Sequence, residues 1–143
     1  MMPALRDDSL FLRGSLRANA AFSALSGALF TLAGAPLGRF LGVDALLVGA
    51  VGVNLLGFAA ALVYFAGRPV LSRAIAMLIV TADLLWVVGT FALVRSAVFT
   101  AAGAVAALAV SGVVLLFAIL QSIGTRRLGH HPPSTSPDVI DSR

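Results

Sequence analysis

Four long apolar blocks, separated by short segments with arginine, proline, glycine or aspartate, dominate the pattern of this chain. They cover about residues 18–37, 45–66, 70–94 and 97–123. Each block is long enough for an α-helix to cross the ~30 Å of hydrocarbon in a bilayer. The pattern therefore predicts an all-α membrane protein in which four transmembrane helices form an up-down bundle over residues 18–123.

Residues 1–17, before the first block, mix leucine and phenylalanine with arginine and aspartate. Two interpretations stay open: a cytoplasmic lead-in to the first span, or a short amphipathic helix at the headgroups with its arginines in water. The first block ends in Ala33-Gly34-Ala35, which resembles a signal-peptide cleavage site. Its core is longer than that of a usual signal peptide, and Pro36 would follow the cut. We therefore expect a retained helix that Pro36 stops.

The distribution of arginine predicts the orientation. Eight of the ten basic residues flank the side that carries both termini and the connection between blocks two and three. The opposite side has only Arg39 and Arg95. Because arginine accumulates on the cytoplasmic side of membrane proteins, both termini are predicted to be cytoplasmic. Residues 124–143, rich in proline, serine and aspartate, are predicted to form a disordered cytoplasmic tail.

Composition supports the membrane class and narrows the chemistry. Hydrophobic residues make up 59% of the 143 residues and charged residues 11%, against ~25% charged in soluble domains. All basic residues are arginine and all acids are aspartate, in a background of alanine, glycine, valine and leucine. This usage suggests a GC-rich bacterial genome, and hence a multi-pass protein of the bacterial cytoplasmic membrane.

A lone acid, Asp83, lies in the middle of the third block. Asn54, Ser26 and Ser111 lie near the centres of the other three, so all four polar side chains are predicted to share one depth. Polar side chains in lipid turn toward the bundle interior, where they find partners. We predict a hydrogen bond between Asp83 and Asn54, with Ser26 or Ser111 completing a polar layer.

Further polar and aromatic candidates lie close to this layer. Trp86 and Thr90 follow Asp83 at helical spacing, so they are predicted to share its face. Trp86 has two interpretations, core packing with its N–H on a polar partner or stacking against a ligand. Asn19 and Gln121 lie toward the cytoplasmic ends of spans one and four, where they could pair or line a vestibule.

The inventory of reactive groups is small. There is no cysteine, and both histidines lie in the tail, so a haem, zinc or di-iron centre or a catalytic triad cannot be assembled within the spans. We expect no enzyme activity, no metal, no cofactor and no nucleic-acid partner; the partners expected are the lipid bilayer and either further copies of the chain or another membrane protein.

Two functions remain open. In one, the protein is structural or accessory, and the polar layer holds its helices together. In the other, it is a proton- or cation-coupled transporter or channel subunit that uses Asp83. A carboxylate at mid-membrane costs about 2.5–3.5 kcal/mol on insertion scales, more than the ~0.6 kcal/mol of an average interhelical hydrogen bond. This difference keeps the second function open.

Overall fold

The computed structural model describes residues 3–69 and 72–128, with side chains for 10–69 and 72–127. This part of the chain is helical and has no strand. Residues 129–143, most of the predicted disordered tail, lie outside it. The five helices are α1 (Pro3–Leu32), α2 (Gly34–Leu41), α3 (Ala45–Ala66), α4 (Arg73–Arg95) and α5 (Ala101–Leu128).

Three of these helices, α3, α4 and α5, are long and apolar enough to cross a membrane. A fourth crossing exists if the bent pair α1–α2 counts as one span. The all-helical class is confirmed, and α3 matches the predicted 45–66. Helices α4 and α5 begin later than predicted, α4 at Arg73 instead of residue 70 and α5 at Ala101 instead of residue 97.

The first apolar block is broken rather than straight. The chain bends by 95° between α1 and α2, at Ala33. Pro36 explains this position, because proline cannot bond to the carbonyl four residues earlier and its ring clashes with that group. That carbonyl belongs to Leu32, the last residue of α1. Pro36 itself lies in the first turn of α2, where proline is tolerated, so the helix predicted to reach residue 37 ends at Leu32.

The start of α1 also differs from the predicted boundary. The helix runs from Pro3 through residue 17 without interruption. Leu12 and Leu16 are completely buried, in one cluster with residues of α3 and α4. The second half of the predicted lead-in is therefore part of the helical bundle. At the other end of the chain, α5 continues past the predicted limit of 123 to Leu128.

The helices do not pack equally against one another. α1 packs most extensively on α3 and α4 on α5, and α1 also contacts α5. α3 and α4 meet at one end, where the core cluster joins Leu62 and Ala66 to Ala76 and Ile79. Over the rest of their described lengths their backbones are not in close contact. The bundle is thus least closely packed along the α3–α4 side.

Close packing of α1 on α3 depends on two glycines. A Cβ atom on Gly52 would lie 2.6 Å from the backbone nitrogen of Thr31, and one on Gly27 would lie 2.8 Å from the carbonyl oxygen of Gly52. Neither position can hold a side chain without moving a backbone. Small residues at such contacts let helices in membranes approach closely, which increases their van der Waals contact.

Polar contacts fix the ends of the helices. Arg13 donates from Nη1 to the carbonyl oxygen of Ala66 (2.6 Å) and from Nη2 to that of Pro69 (3.0 Å), beside the last turn of α3. Asp44 caps the start of α3 by accepting from the backbone N–H of Leu46 (2.8 Å). These contacts satisfy backbone groups that a helix leaves without partners at its ends.

The outer surface of the bundle is apolar. Leu25, Leu32 and Leu46 are 74%, 87% and 82% exposed, and no more than 22% of the most apolar stretch of α3, α4 or α5 is buried within the chain. A soluble monomer rarely exposes contiguous apolar surface of this extent. The surface is compatible with a surrounding lipid phase.

Candidate functional site

Asp83 is the centre of a buried polar cluster in which three helices meet. It lies near the middle of α4, is 3% exposed, and shares a buried face with Ala76 and Val80. Asn19 of α1 donates from Nδ2 to Asp83 Oδ2 at 2.8 Å. Ser23, one turn further along α1, donates to Asn19 Oδ1 at 3.3 Å. Asn19 is therefore held on both sides and joins α1 to α4.

Gln121 brings α5 into the same cluster. Its side chain is completely buried and close enough to the Asp83 carboxyl group to interact with it. The contact does not have the geometry of a hydrogen bond, because neither Nε2 nor Oε1 of Gln121 has a partner in the described part of the chain. Such buried groups without partners are uncommon and destabilising. In α5, the amide donor and acceptor of Gln121 are therefore left without hydrogen bonds inside the bundle.

A cavity of about 110 Å³ adjoins this cluster. Its wall is largely aromatic and aliphatic, with a few polar groups, and is formed by Phe22, Ser23, Ser26, Phe30, Asn54, Leu55, Phe58, Ala82, Asp83, Trp86, Val110 and Val114. Asn54 of α3 is exposed, and the α3 and α4 backbones are not in close contact here. The lining comes from α1, α3, α4 and α5, and the exposed Asn54 lies on the side where α3 and α4 are not in close contact.

The two oxygens of Asp83 are not equivalent. Oδ2 accepts the bond from Asn19, whereas Oδ1 has no hydrogen-bond partner among residues 3–69 and 72–128. Oδ1 is also not one of the fully enclosed atoms without a partner, unlike Trp86 Nε1. Asp83 is one of the residues that line the cavity. One oxygen thus holds α1, and the other makes no hydrogen bond with a described residue.

The predicted pair of Asp83 with Asn54 is replaced by a pair with Asn19. Asn54 lines the cavity, but its side chain is exposed and makes no hydrogen bond with a described residue. The buried face of α3 carries Val48, Gly52, Ala59, Leu62 and Ala66 instead. The physical reason is the close contact at Gly52, which turns that face toward α1 and leaves Asn54 on the α3–α4 side.

The other predicted candidates are divided between the cavity and the surrounding helices. Ser26 and Trp86 line the cavity with Asp83. Ser111 is buried, but its Oγ has no partner within the described residues and it does not line the cavity. Thr90 is half-buried, one turn beyond Trp86 and outside the lining. No single polar layer combines all six.

Asn19 and Gln121, predicted as a separate cytoplasmic-side pair, are parts of the Asp83 cluster. They do not bond to each other, since both polar atoms of Gln121 lack a hydrogen-bond partner among the residues described. Ser23 was not among the predicted site residues. The signal that could have identified it is its spacing of four from Asn19, which places both side chains on one face of a helix.

The comparisons with known proteins give no role for the chain. No protein-family model matches it, and neither a curated protein nor a solved structure matches it significantly. Function therefore has to be argued from the site. Within the described residues, His, Cys, Asp and Glu do not come together in groups of three that could hold a metal ion. What the site offers is one carboxylate oxygen, amide and hydroxyl groups, and an aromatic cavity.

Proposed function

We propose that this chain is a small multi-pass membrane protein with a structural or accessory role, in which the buried polar cluster holds the helices together. The observation that carries this proposal is the 2.8 Å hydrogen bond from Asn19 to Asp83. It links α1 to α4, two helices that do not pack extensively along their described lengths. In an apolar surrounding, such a bond replaces the water that both side chains would otherwise need.

The test of this role is a pair of substitutions at Asp83. Asp83→Asn keeps an oxygen that can accept from Asn19, so we expect thermal stability in detergent within about 0.5 kcal/mol of wild type. Asp83→Leu leaves Asn19 buried without its partner and should lower stability by about 1 kcal/mol or more. Circular dichroism melting and size-exclusion chromatography measure both. Wild-type stability of Asp83→Leu would contradict the proposal.

The proposed arrangement in the membrane has four crossings in an up-down bundle, with both termini cytoplasmic. It rests on the arginine distribution and on counting the bent α1–α2 pair as one span. Because the chain has no cysteine, single cysteines introduced at Arg39 and Arg68 can be labelled selectively. We expect labelling by an impermeant maleimide from opposite sides of the bacterial cytoplasmic membrane. Labelling of both from one side would exclude this topology.

The partners that we propose are lipids together with either further copies of this chain or another membrane protein. Exposed leucines and valines on all the long helices provide apolar surface for each of these. The site contains no group placed to act as a nucleophile next to a general base, so a catalytic role is not proposed.

A second candidate function is favoured by the cavity. Because Asp83 lines the cavity and its Oδ1 makes no hydrogen bond with a described residue, Asp83 is also a candidate carrier or binding site for a proton or cation. Reconstituted liposomes with an internal pH dye test this role. Proton or cation flux that Asp83→Asn abolishes, with the variant still folded, would support it. Equal flux in wild type, in the variant and in empty liposomes would exclude it.

A further inference from the structure

The cavity beside Asp83 has the chemistry of an organic-cation site. It combines one carboxylate oxygen with four aromatic side chains, Phe22, Phe30, Phe58 and Trp86. Aromatic faces attract cations through the negative potential over the ring, and the attraction is larger where water is excluded. A carboxylate and aromatic walls together favour a positive charge that carries apolar substituents.

The charge of the site indicates a monovalent cation. Asp83 forms no ion pair with any described residue, and it is the only acidic side chain that lines the cavity. An anion would be repelled by this carboxylate when it is ionised. One carboxylate does not neutralise the charge of a divalent ion. Ca²⁺ and Mg²⁺ also take about six or more oxygen ligands, often several of them carboxylates, and this cavity has one carboxylate.

The wall distinguishes an organic cation from a bare metal ion or a proton. Eight of the twelve lining residues are apolar or aromatic, and the polar ones other than Asp83 are two serines and an asparagine. Ligand sites of this type are typically lined by apolar and aromatic side chains, with a few polar groups that fix orientation. A proton would need no cavity, and an alkali ion would need more oxygen atoms.

Size and opening restrict the ligand further. The cavity of about 110 Å³ is somewhat smaller than the ~150 Å³ engineered cavity that binds benzene. Only a small head group can enter, such as an ammonium with short alkyl substituents. Any tail would leave past the exposed Asn54, on the side where α3 and α4 are not in close contact.

We propose that the cavity beside Asp83 binds the head group of a small hydrophobic ammonium cation, with its charge against Asp83 Oδ1 and its substituents against Phe58 and Trp86. This inference rests on the second candidate function, cation binding at Asp83, and names its ligand class. It does not depend on the accessory role, which uses Oδ2 of the same residue.

The single tryptophan of the chain makes the test specific, because Trp86 lines the cavity. The protein is placed in nanodiscs of zwitterionic lipid, and Trp86 fluorescence is followed during titration with benzyltrimethylammonium. Neopentylbenzene, in which carbon replaces the charged nitrogen, is the neutral control of the same shape. We expect a saturable fluorescence change with the cation and a response at least about tenfold weaker with the neutral compound.

Two matched variants locate the charge that is recognised. Asp83→Asn removes the carboxylate and should weaken the cation response about tenfold or more. Asp44→Asn makes the same change at the cap of α3, outside the cavity lining, and should leave the response unchanged. If Asp83→Asn does not fold, the comparison of the two probes on wild type still decides the question.

The outcomes that would overturn the inference differ from those that affect the other proposals. Equal responses to both probes, an unchanged affinity in Asp83→Asn, or displacement of the probe by an equal concentration of sodium chloride would each exclude an organic-cation site. Proton or metal-ion flux without any probe response would leave the second candidate function and remove only this ligand. Probe binding without flux would leave the ligand site and remove transport.

Discussion

The two sides of α3 differ in what they place against their neighbours. Toward α1, glycines at 27 and 52 bring the two backbones into contact, and no room remains for a side chain at either position. Toward α4, the exposed Asn54 and the half-buried Phe58 face a cavity whose opposite wall includes Ala82 and Trp86. On the α1 side, the helices touch because glycine has no side chain. On the α4 side, the large side chains of Phe58 and Trp86 line a cavity.

In our proposal, this difference separates the contacts that stabilise the bundle from the cavity that binds a ligand. Close helix packing in lipid comes from van der Waals contact between small residues, since lipid tails compete equally well for apolar side chains. The α1–α3 side uses that mechanism and tolerates little change in volume. The α3–α4 side has polar and aromatic side chains beside Asp83, and the proposed ligand site rests on this composition.

The largest expected effect is at the α1–α3 side, in Gly52→Ala. The added Cβ would lie 2.6 Å from the backbone nitrogen of Thr31, so α1 or α3 has to move. We expect the free energy of unfolding to fall by about 3 kcal/mol, at the upper end for overpacked sites. Reversible unfolding in mixed micelles, followed by circular dichroism, measures the change.

The matched control is Gly57→Ala on the same helix. A Cβ at Gly57 meets nothing within 4 Å in the structure, and alanine favours the helix by about 0.5–1 kcal/mol over glycine. This variant should be as stable as wild type or slightly more stable. Equal losses in both variants would show that the effect belongs to α3 in general and not to its contact with α1.

A smaller loss is expected at the end of the α1–α3 side, in Arg13→Gln. Arg13 donates to the carbonyl oxygens of Ala66 and Pro69, and a cation near a helix C-terminus also interacts favourably with the helix dipole. We expect a loss of about 1–2 kcal/mol, measured by the same unfolding experiment. Arg17→Gln is the control, because Arg17 is exposed and makes no hydrogen bond with the described residues. A similar loss in both variants would contradict a specific contact.

Sequence reasoning predicted the helical class and a position for Asp83 inside the bundle with a polar partner, because both depend on local properties. Apolar length indicates a candidate span, and a lone acid inside such a length needs partners wherever its helix lies. Trp86 and Ser26, both predicted to lie near Asp83, line the same cavity as Asp83. These residues could be identified without knowing how the helices pack.

The depth of α1 could not be predicted, because hydropathy does not identify the ends of an amphipathic helix. The apolar block from 18 to 37 suggested a centre at Ser26, whereas α1 begins at Pro3 and ends at Leu32. Its midpoint lies at Arg17–Ala18, roughly 12 Å away along the helix axis. In this longer helix it is Asn19, and not a residue at the centre of the block, that bonds to Asp83.

The rotation of α3 was also beyond the sequence. α3 is apolar all round, so hydrophobicity alone favours no face for packing. The buried face of α3 includes Gly52, Ala59 and Ala66. These are small residues at a spacing of seven, so they lie on one side of the helix. In a chain so rich in alanine and glycine, this spacing is not distinctive enough to outweigh the polarity of Asn54, which was therefore assigned to the interior.

The smallest expected effect, and the sharpest test of the α3–α4 side, is in Asn54→Leu. Because Asn54 is exposed and has no hydrogen bond to a described residue, leucine removes no contact, and we expect stability within about 0.5 kcal/mol of wild type. Asn19→Leu, the same substitution at the buried partner of Asp83, should cost about 1 kcal/mol or more. Equal losses would mean that both asparagines support Asp83 and that the α3–α4 side is closed in the membrane. If Asn54→Leu keeps the stability of wild type but binds benzyltrimethylammonium more weakly, Asn54 contributes to the ligand site and not to the stability of the bundle.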